Sequence, residues 1–347
     1  MTSAAYAELQ FFYAYVADPV HGDINGDHAL THLVAPLAAQ LAEAGLASST
    51  EFMRYSIKGY HVRVKFRNGA PLALPAIATR VDAAVAAYRL AHPERIGQAG
   101  ELGIYARQLH ERAGKQIMLS TPGSYTFATK EEEPGLFEDD ATHLRYVELT
   151  NASCKTLLSL LAAGANYNLR KTFVRLFLAD ILLGSGLSTE ELYYSLYFAQ
   201  LQWRKFFALS DEANARCTNN YLLSKGKYHR FLHSKDGVGG SVAALPAALG
   251  PLYRDGVAQA APLFSALLLR NEAGKLTNHS ALRILSLIHL THNRVGLDIE
   301  QEILFAELLC GYWQPMLSQE VVDGVHLWAG QNIEVYLERS GNTVVGS

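Results

Sequence analysis

Two short segments hold the side chains best suited to chemistry. Near the C-terminus, LSLIHLTHNRVGLD places His289 and His292 three residues apart on a helix predicted over 278–293. That spacing brings both imidazoles near one face. Histidine exchanges protons near neutral pH, which suits general acid–base work or substrate binding. One buried and one capping histidine is the plainer reading of the pair. A metal site would want a third ligand at a recognisable spacing, or the glutamate of an HExxH pair. Neither accompanies these histidines, and no metal is expected. Asn293 and Arg294 close the helix before Gly296, a C-cap candidate, and Asp298 is placed to cap the next helix.

The other segment, EFMRYSIKGYHVRVKF, carries Arg54, His61, Arg63 and Lys65. Phe52 and Arg54 begin one strand, Ser56 to Gly59 suit a turn, and Tyr60 to Phe66 alternates as a second strand. The alternation puts His61, Arg63 and Lys65 on one face and Val62, Val64 and Phe66 on the other. Read with Arg54 as a basic cluster, the hairpin presents a cationic surface for a carboxylate or a peptide carbonyl. A charged, exposed sheet edge explains the same residues without any ligand.

The surrounding elements must position these groups. LQFFYAYVA (9–17) is short and aromatic, as a buried strand is. Leu30, Leu33, Val34, Leu37 and Leu41 recur at helical spacing from a cap at Asp27 or Thr31 to a stop at Gly45. An Ala-rich helix follows over 73–91. Short strands are expected at 117–119 and 124–128, then an acidic loop from Lys130 to Asp140. Beyond residue 150 the pattern turns helical, at 152–163, 168–184, 189–209, 211–222, 241–250, 254–271, 278–293, 299–312 and 317–339. The expected fold is α+β: a strand-containing lobe over 1–150 with an antiparallel sheet and helices, and a mostly helical lobe over 151–347, together one catalytic unit.

Other motifs are weaker. KDGVGGS (235–241) precedes a helix and would cradle an anion, but it lacks phosphate-loop spacing and reads as an ordinary loop. Tyr193, Tyr194, Tyr197, Trp203, Phe206 and Phe207 form an aromatic stripe of the kind that fills cores. KGKYHRFLHSK (225–235) is basic and aromatic, and reads as a solvated loop rather than a nucleic-acid contact.

Composition sets the outer bounds. The 347 residues are 49% hydrophobic and 18% charged, and 30 Lys+Arg against 33 Asp+Glu give a formal net charge of −3. No global field favours nucleic acid. No apolar run reaches the roughly 18 residues of a membrane span, and the N-terminus lacks a secretory pattern. Three scattered cysteines suggest neither a disulfide framework nor a zinc site. A cytoplasmic setting is expected.

The order of these segments resembles the C-terminal, elimination-type domain of lantibiotic dehydratases and its stand-alone relatives in thiopeptide biosynthesis, the pyridine synthases. The residues carrying it are Phe52-Met53-Arg54-Tyr55, His61-Val62-Arg63-Val64-Lys65-Phe66 and His289-Leu290-Thr291-His292-Asn293-Arg294-Val295. The resemblance implies a ribosomally made, modified precursor peptide, leader and core, as partner, leaves room for other pathway enzymes and a homodimer, and implies no cofactor. It implies catalytic roles for His289, His292, Arg54 and Arg63, and substrate contacts for Tyr55, His61, Lys65, Asn293 and Arg294. Elimination members carry a Tyr-x-x-Glu-x-x-[RK]-Tyr-Gly-Gly segment mid-chain. SYTFATKEEEPGLFEDDATHLRY (124–146) has none, with Arg145 a loose substitute. The expectation is therefore a formal [4+2] cycloaddition between dehydroalanines, with loss of water and leader. Glutamate elimination from glutamylated Ser or Thr, or peptide binding without catalysis, are the alternatives.

Overall fold

A computed structural model describes residues 5–56, 58–68, 73–97, 102–103, 106–108, 119–131, 139–233 and 244–344. The chain divides into two units, Met1–Arg170 with Asn293–Gly296, and Lys171–His292 with Leu297–Ser347. The fold is α+β.

The first unit is built on four antiparallel strands in the order β4-β5-β1-β6: β1 (Ala5–Phe12), β4 (Ser49–Tyr55), β5 (His61–Arg67) and β6 (Tyr125–Glu131). Two-residue strands β2 (Ala17–Asp18) and β3 (Gly22–Asp23) pair separately. The turn joining β4 to β5 includes Lys58 and Gly59 at positive φ, 68° and 106°. Alternation along the strands sends Ala7, Leu9, Phe11, Phe52, Val62, Val64 and Phe66 to one buried face.

Helices cover that face. α1 (Ile24–Ala29), a π-helical turn (Leu30–Val34) and α2 (Ala35–Glu43) run without a break, and Leu30, Leu33, Val34, Leu37 and Leu41 are buried as their spacing predicts. α3 (Leu74–Ala91) adds Ile77, Val81, Val85 and Tyr88 to the same core. Each fully buried large side chain contributes roughly 1.5–3 kcal/mol, so this cluster holds the sheet's geometry. α4 (Asp140–Ala162) packs on β4 and adds Cys154 and Leu161.

The second unit is helical among its described residues: α5 (Tyr167–Leu183, beginning in the first unit), α6 (Thr189–Phe206), α7 (Asp211–His233), α8 (Gly250–Ala266), α9 (Asn278–Arg294, ending in the first), α10 (Ile299–Trp313) and α11 (Gln319–Val344). α10 buries Ile303, Leu304, Phe305, Leu308 and Leu309 and packs on α6 and α7. That near-continuous apolar surface is what a central helix needs. A capping box of Ser188 and Glu191 starts α6.

Several expected boundaries shift. β1 begins at Ala5 rather than residue 9, because two-sided pairing with β5 and β6 recruits Ala5–Glu8, whose own composition is too weakly apolar to announce a strand. β6 runs on to Glu131. α4 begins at Asp140, since the Asp139 carboxylate accepts from Thr142 N at 2.6 Å and caps it. The basic-aromatic segment expected as a loop is helical through His233, with Tyr228 buried and its hydroxyl donating to the Arg175 carbonyl at 3.2 Å. The helix expected at 241–250 is instead a 3-10 turn, Ala247–Leu249, after which α8 starts with a proline in its first turn. KDGVGGS and Ile117–Met118 lie outside the described residues, and Leu119 is in coil.

Candidate functional site

The pairing register separates the hairpin's basic residues. Arg54 stands opposite Val62, on the helix-covered face, whereas Arg63 and Lys65 stand opposite Gln10 and Glu8 on the polar face. The expected four-residue basic cluster is therefore not formed. A period of two puts Arg54, at an even number, with Phe52, and no tertiary force can turn it round without turning its neighbours.

Arg54 is instead buried in an ionic network. Its Nη1 and Nη2 donate to Asp23 at 3.3 Å and Asp27 at 2.6 Å, and its Nε donates to the Arg294 carbonyl at 3.1 Å. Tyr13 Oη donates to the same Asp23 oxygen as Arg54, Oδ2, at 2.6 Å, and Arg170 Nη2 lies 2.5 Å from Asp27 Oδ2. Burial, opposed by the nearby Arg54 charge and the Tyr13 hydrogen bond, leaves the Asp23 carboxyl above its usual range. Gly26 is required here: a Cβ would sit 2.1 Å from Asp23 Oδ2 and 2.6 Å from Arg54 Nη1.

Asn293 and Arg294 complete the frame. The Asn293 amide accepts from Arg54 N at 2.8 Å and donates to Arg54 O at 2.9 Å, so one side chain grips the β4 backbone at both groups. Arg294 donates to Phe52 O and to Ser153 Oγ, each at 3.1 Å. Gly296, at φ 72°, makes the turn that follows, and Asp298 caps α10 as expected. The paired motifs FMRY and HNR thus meet as a structural clasp of the first unit.

The polar face of the sheet is cationic. The Arg63 guanidinium lies 4.0 Å above the Tyr55 ring centre and its Nε is 3.8 Å from Glu8 Oε1, while Lys130 Nζ reaches that oxygen at 2.9 Å. Lys65 Nζ stands 4.4 Å over the Tyr6 ring. Burial raises the Glu8 carboxyl, but Gln10, Lys130 and Arg63 outweigh it, and the group ends below its usual range. His61 does not add charge, contrary to the cationic face expected of it: it is 2% exposed, its Nδ1 donates to Gly59 O at 2.9 Å, and burial brings its pKa to about 4. It stacks on Tyr55 with ring centres 5.5 Å apart.

The second unit separates the two motif histidines. His292 is fully buried, its Nδ1 donates to Ile288 O at 2.8 Å, and burial lowers its pKa to about 3. An imidazole so placed stays neutral and has no route to exchange a proton with solvent. His289, one turn earlier, has a side chain 39% exposed, and its Nδ1 faces the two oxygens of Glu302 at 3.0 and 3.2 Å. Glu302 is 2% exposed on α10, and burial, opposed by His289, raises its carboxyl above the usual range. Trp203 packs against the histidine, ring centres 5.1 Å apart. A carboxylate holding one ring nitrogen fixes the orientation of the other edge, the arrangement used by general acid–base histidines.

Sequence reasoning missed Asp23, Asp27, Glu8 and Glu302. An acid in the first turn of a helix is what any helix favours, so Glu302 carried no signal. Its meeting with His289 depends on the tight turn at Gly296 folding α10 back on α9. Arg145 is exposed on α4. Of the aromatic stripe expected to fill a core, Tyr193 and Phe207 are buried, whereas Tyr194, Tyr197, Trp203 and Phe206 are half-buried; the Tyr193 hydroxyl lies 2.9 Å from His326 Nε2.

Residues 19–313 match the family described as lantibiotic biosynthesis dehydratase C-term. The chain belongs to this family, and with it to the tailoring proteins of ribosomally made peptides. Among solved structures it is similar to the pyridine synthase TbtD from thiomuracin biosynthesis, with 20% identity, a TM-score of 0.60, and 89% of this chain and 97% of that one covered. The tRNA-dependent lantibiotic dehydratase MibB from Microbispora sp. 107891 is similar at 17% identity and a TM-score of 0.52, over 91% of this chain but 28% of that one. TsrL follows at 13% identity and 0.51, covering 90% and 95%. At these identities the likeness is one of fold. Comparison with curated protein sequences finds no significant match. No helix among the described residues is long and apolar enough to cross a membrane.

Proposed function

We propose that this protein is an enzyme acting on a dehydroamino-acid-bearing, ribosomally made precursor peptide, and that the reaction is a formal [4+2] cycloaddition between two dehydroalanines. Water and the leader peptide then leave, and a macrocycle closed by a pyridine remains. Family membership and a fold shared over 97% of the pyridine synthase TbtD support the reading. The observation that carries it is the half-exposed His289 held by buried Glu302. Cycloaddition and the two departures relocate protons but transfer no net electrons, so they call for acid–base groups and stabilised carbonyl charge. His289 moves the protons and Glu302 orients it. In the first unit, Arg63 and Lys65, backed by Tyr55 and His61, hold carbonyl or carboxylate oxygens of the peptide. Arg54, Asn293 and Arg294 act by fixing the strand that carries this face, and His292 by filling the core. The setting is the cytoplasm, where such peptides are made.

Glutamate elimination is the second reading, favoured by the fold shared with MibB. Removing an α-proton would use the same histidine. Mass spectrometry of the protein incubated with candidate peptides tests both. Loss of water with release of the leader from a dehydroalanine-bearing peptide supports cycloaddition. Loss of one glutamate equivalent from a glutamylated peptide replaces it with elimination. Binding of both peptides without a mass change leaves a peptide-binding protein and refutes catalysis.

A further inference from the structure

Three histidines that the proposed chemistry does not use converge on one side of the first unit. His28 lies in the last turn of α1, His32 in the π-helical turn that follows, and His92 caps the C-terminus of α3. One potential ligand atom from each lies within 4.8 Å of the others. The ring centres of His28 are 4.2 Å from His32 and 4.4 Å from His92, and those of His32 and His92 are 5.6 Å apart. His32 is exposed and the other two are half-buried, so the cluster is open to solvent on one side and built on rigid helix ends on the other.

We propose that His28, His32 and His92 form a binding site for a divalent transition metal of the zinc class, with its fourth position left to water or an exchangeable ligand. Three imidazoles select zinc, copper or nickel over magnesium and calcium, which demand oxygen. Three protein ligands with one position open is the composition of sites that exchange ligands, in contrast to closed structural sites.

Three features favour a metal over a chance meeting of rings. Tyr88 Oη lies 2.9 Å from His28 Nδ1. With Nδ1–H donating to that oxygen, Nε2 keeps its lone pair for the metal, and the outer hydrogen bond fixes the ring, as is general for metal-bound histidine. The His28 ring is also packed against Tyr88, ring centres 5.6 Å apart, so little rotamer freedom is left for a metal to remove. Finally, His32 stands in a single π-helical turn between two α-helical segments. Such turns are rare and recur at functional sites. The charged neighbours are Glu94, with Oε1 3.9 Å from His92 Nδ1, and Arg95, whose Nε is 3.5 Å from the same carboxylate oxygen. Glu94 offsets the arginine's repulsion of a cation. Closing from at most 4.8 Å to the roughly 3.4 Å between ligands of a tetrahedral zinc, a span that follows from Zn–N bonds of about 2.1 Å, takes side-chain rotation, for which the exposed His32 has room.

The experiment uses tag-free full-length protein treated with EDTA and desalted. Isothermal titration with zinc chloride reads stoichiometry and affinity, and cobalt chloride reads geometry by its visible absorption. The expected result is one equivalent of zinc bound at micromolar affinity or better, and a cobalt band of tetrahedral intensity. Affinity should fall at least 100-fold in His32→Ala and in His92→Gln, with magnesium unable to compete. His32 is exposed, so its variant keeps the fold, and far-ultraviolet circular dichroism verifies this for both. Absence of zinc binding by the wild type, or equal binding by wild type and both variants, overturns the site. The readout is metal content, so its outcome is independent of whether the peptide reaction above is correct.

Discussion

Arg54→Ala separates a structural from a catalytic role for the buried cation of the FMRY segment. The substitution deletes donors to Asp23, Asp27 and the Arg294 carbonyl. Asp23 is left buried with Tyr13 and its cap bond to Gly26 as partners, while Asp27 keeps Arg170. Removing one partner of a buried charge network costs about 3–5 kcal/mol, most of it the cost of the charge left behind. That corresponds to a factor of roughly 10² to 10⁴ in the folding equilibrium of the first unit. Equilibrium urea unfolding, with hydrogen exchange at β4 and α1 to assign the change to this unit, measures it. Adding Asp23→Asn should restore part of the loss, because the orphaned charge is then gone. A stable, normally protected Arg54→Ala protein, destabilised by less than about 1 kcal/mol yet inactive, would refute the structural account and make Arg54 a catalytic residue.

Other expectations follow from the same geometry. His289→Ala should slow peptide conversion by about 10²–10⁴, and Glu302→Gln should slow it less while leaving peptide affinity near wild type. His292→Leu should convert peptide within a few-fold of wild type, and single-turnover mass spectrometry orders the three. In folded protein the His61 and His292 pKa values lie at about 4 and about 3 against an ordinary 6.5. The unfolded chain therefore takes up the protons first. Their contribution to stability is present above about pH 6.5 and is lost on acidification toward pH 4 and 3, at up to about 1.4 kcal/mol per pH unit per histidine. Urea midpoints between pH 7 and 4.5 should fall less steeply in His292→Leu than in wild type, and parallel curves would show that His292 titrates normally. Arg63→Ala should weaken precursor binding by roughly 1–3 kcal/mol if it holds a carbonyl or carboxylate, and anisotropy with a labelled peptide would detect it; unchanged affinity removes the polar sheet face from recognition.

Local pattern carried much of this protein's architecture. Alternation in His61–Phe66 and the helical spacing of Leu30 to Leu41 predict the sheet face and its covering helix, because side-chain period depends on backbone geometry alone. The turn at Gly296 and the cap at Asp298 were equally legible, being local hydrogen-bond requirements. Roles were not. The period of two already puts Arg54 with Phe52, but that it is locked in a buried ionic network depends on Asp23 and Asp27, which lie more than 25 positions away. His289 and His292 look equivalent three residues apart, yet α10 leaves one half-open beside Glu302 and seals the other. His28, His32 and His92 form a group only because α3 returns its C-terminus to α1. Burial and long-range pairing set charge state and access, and those are properties of the packed chain, not of any segment of it.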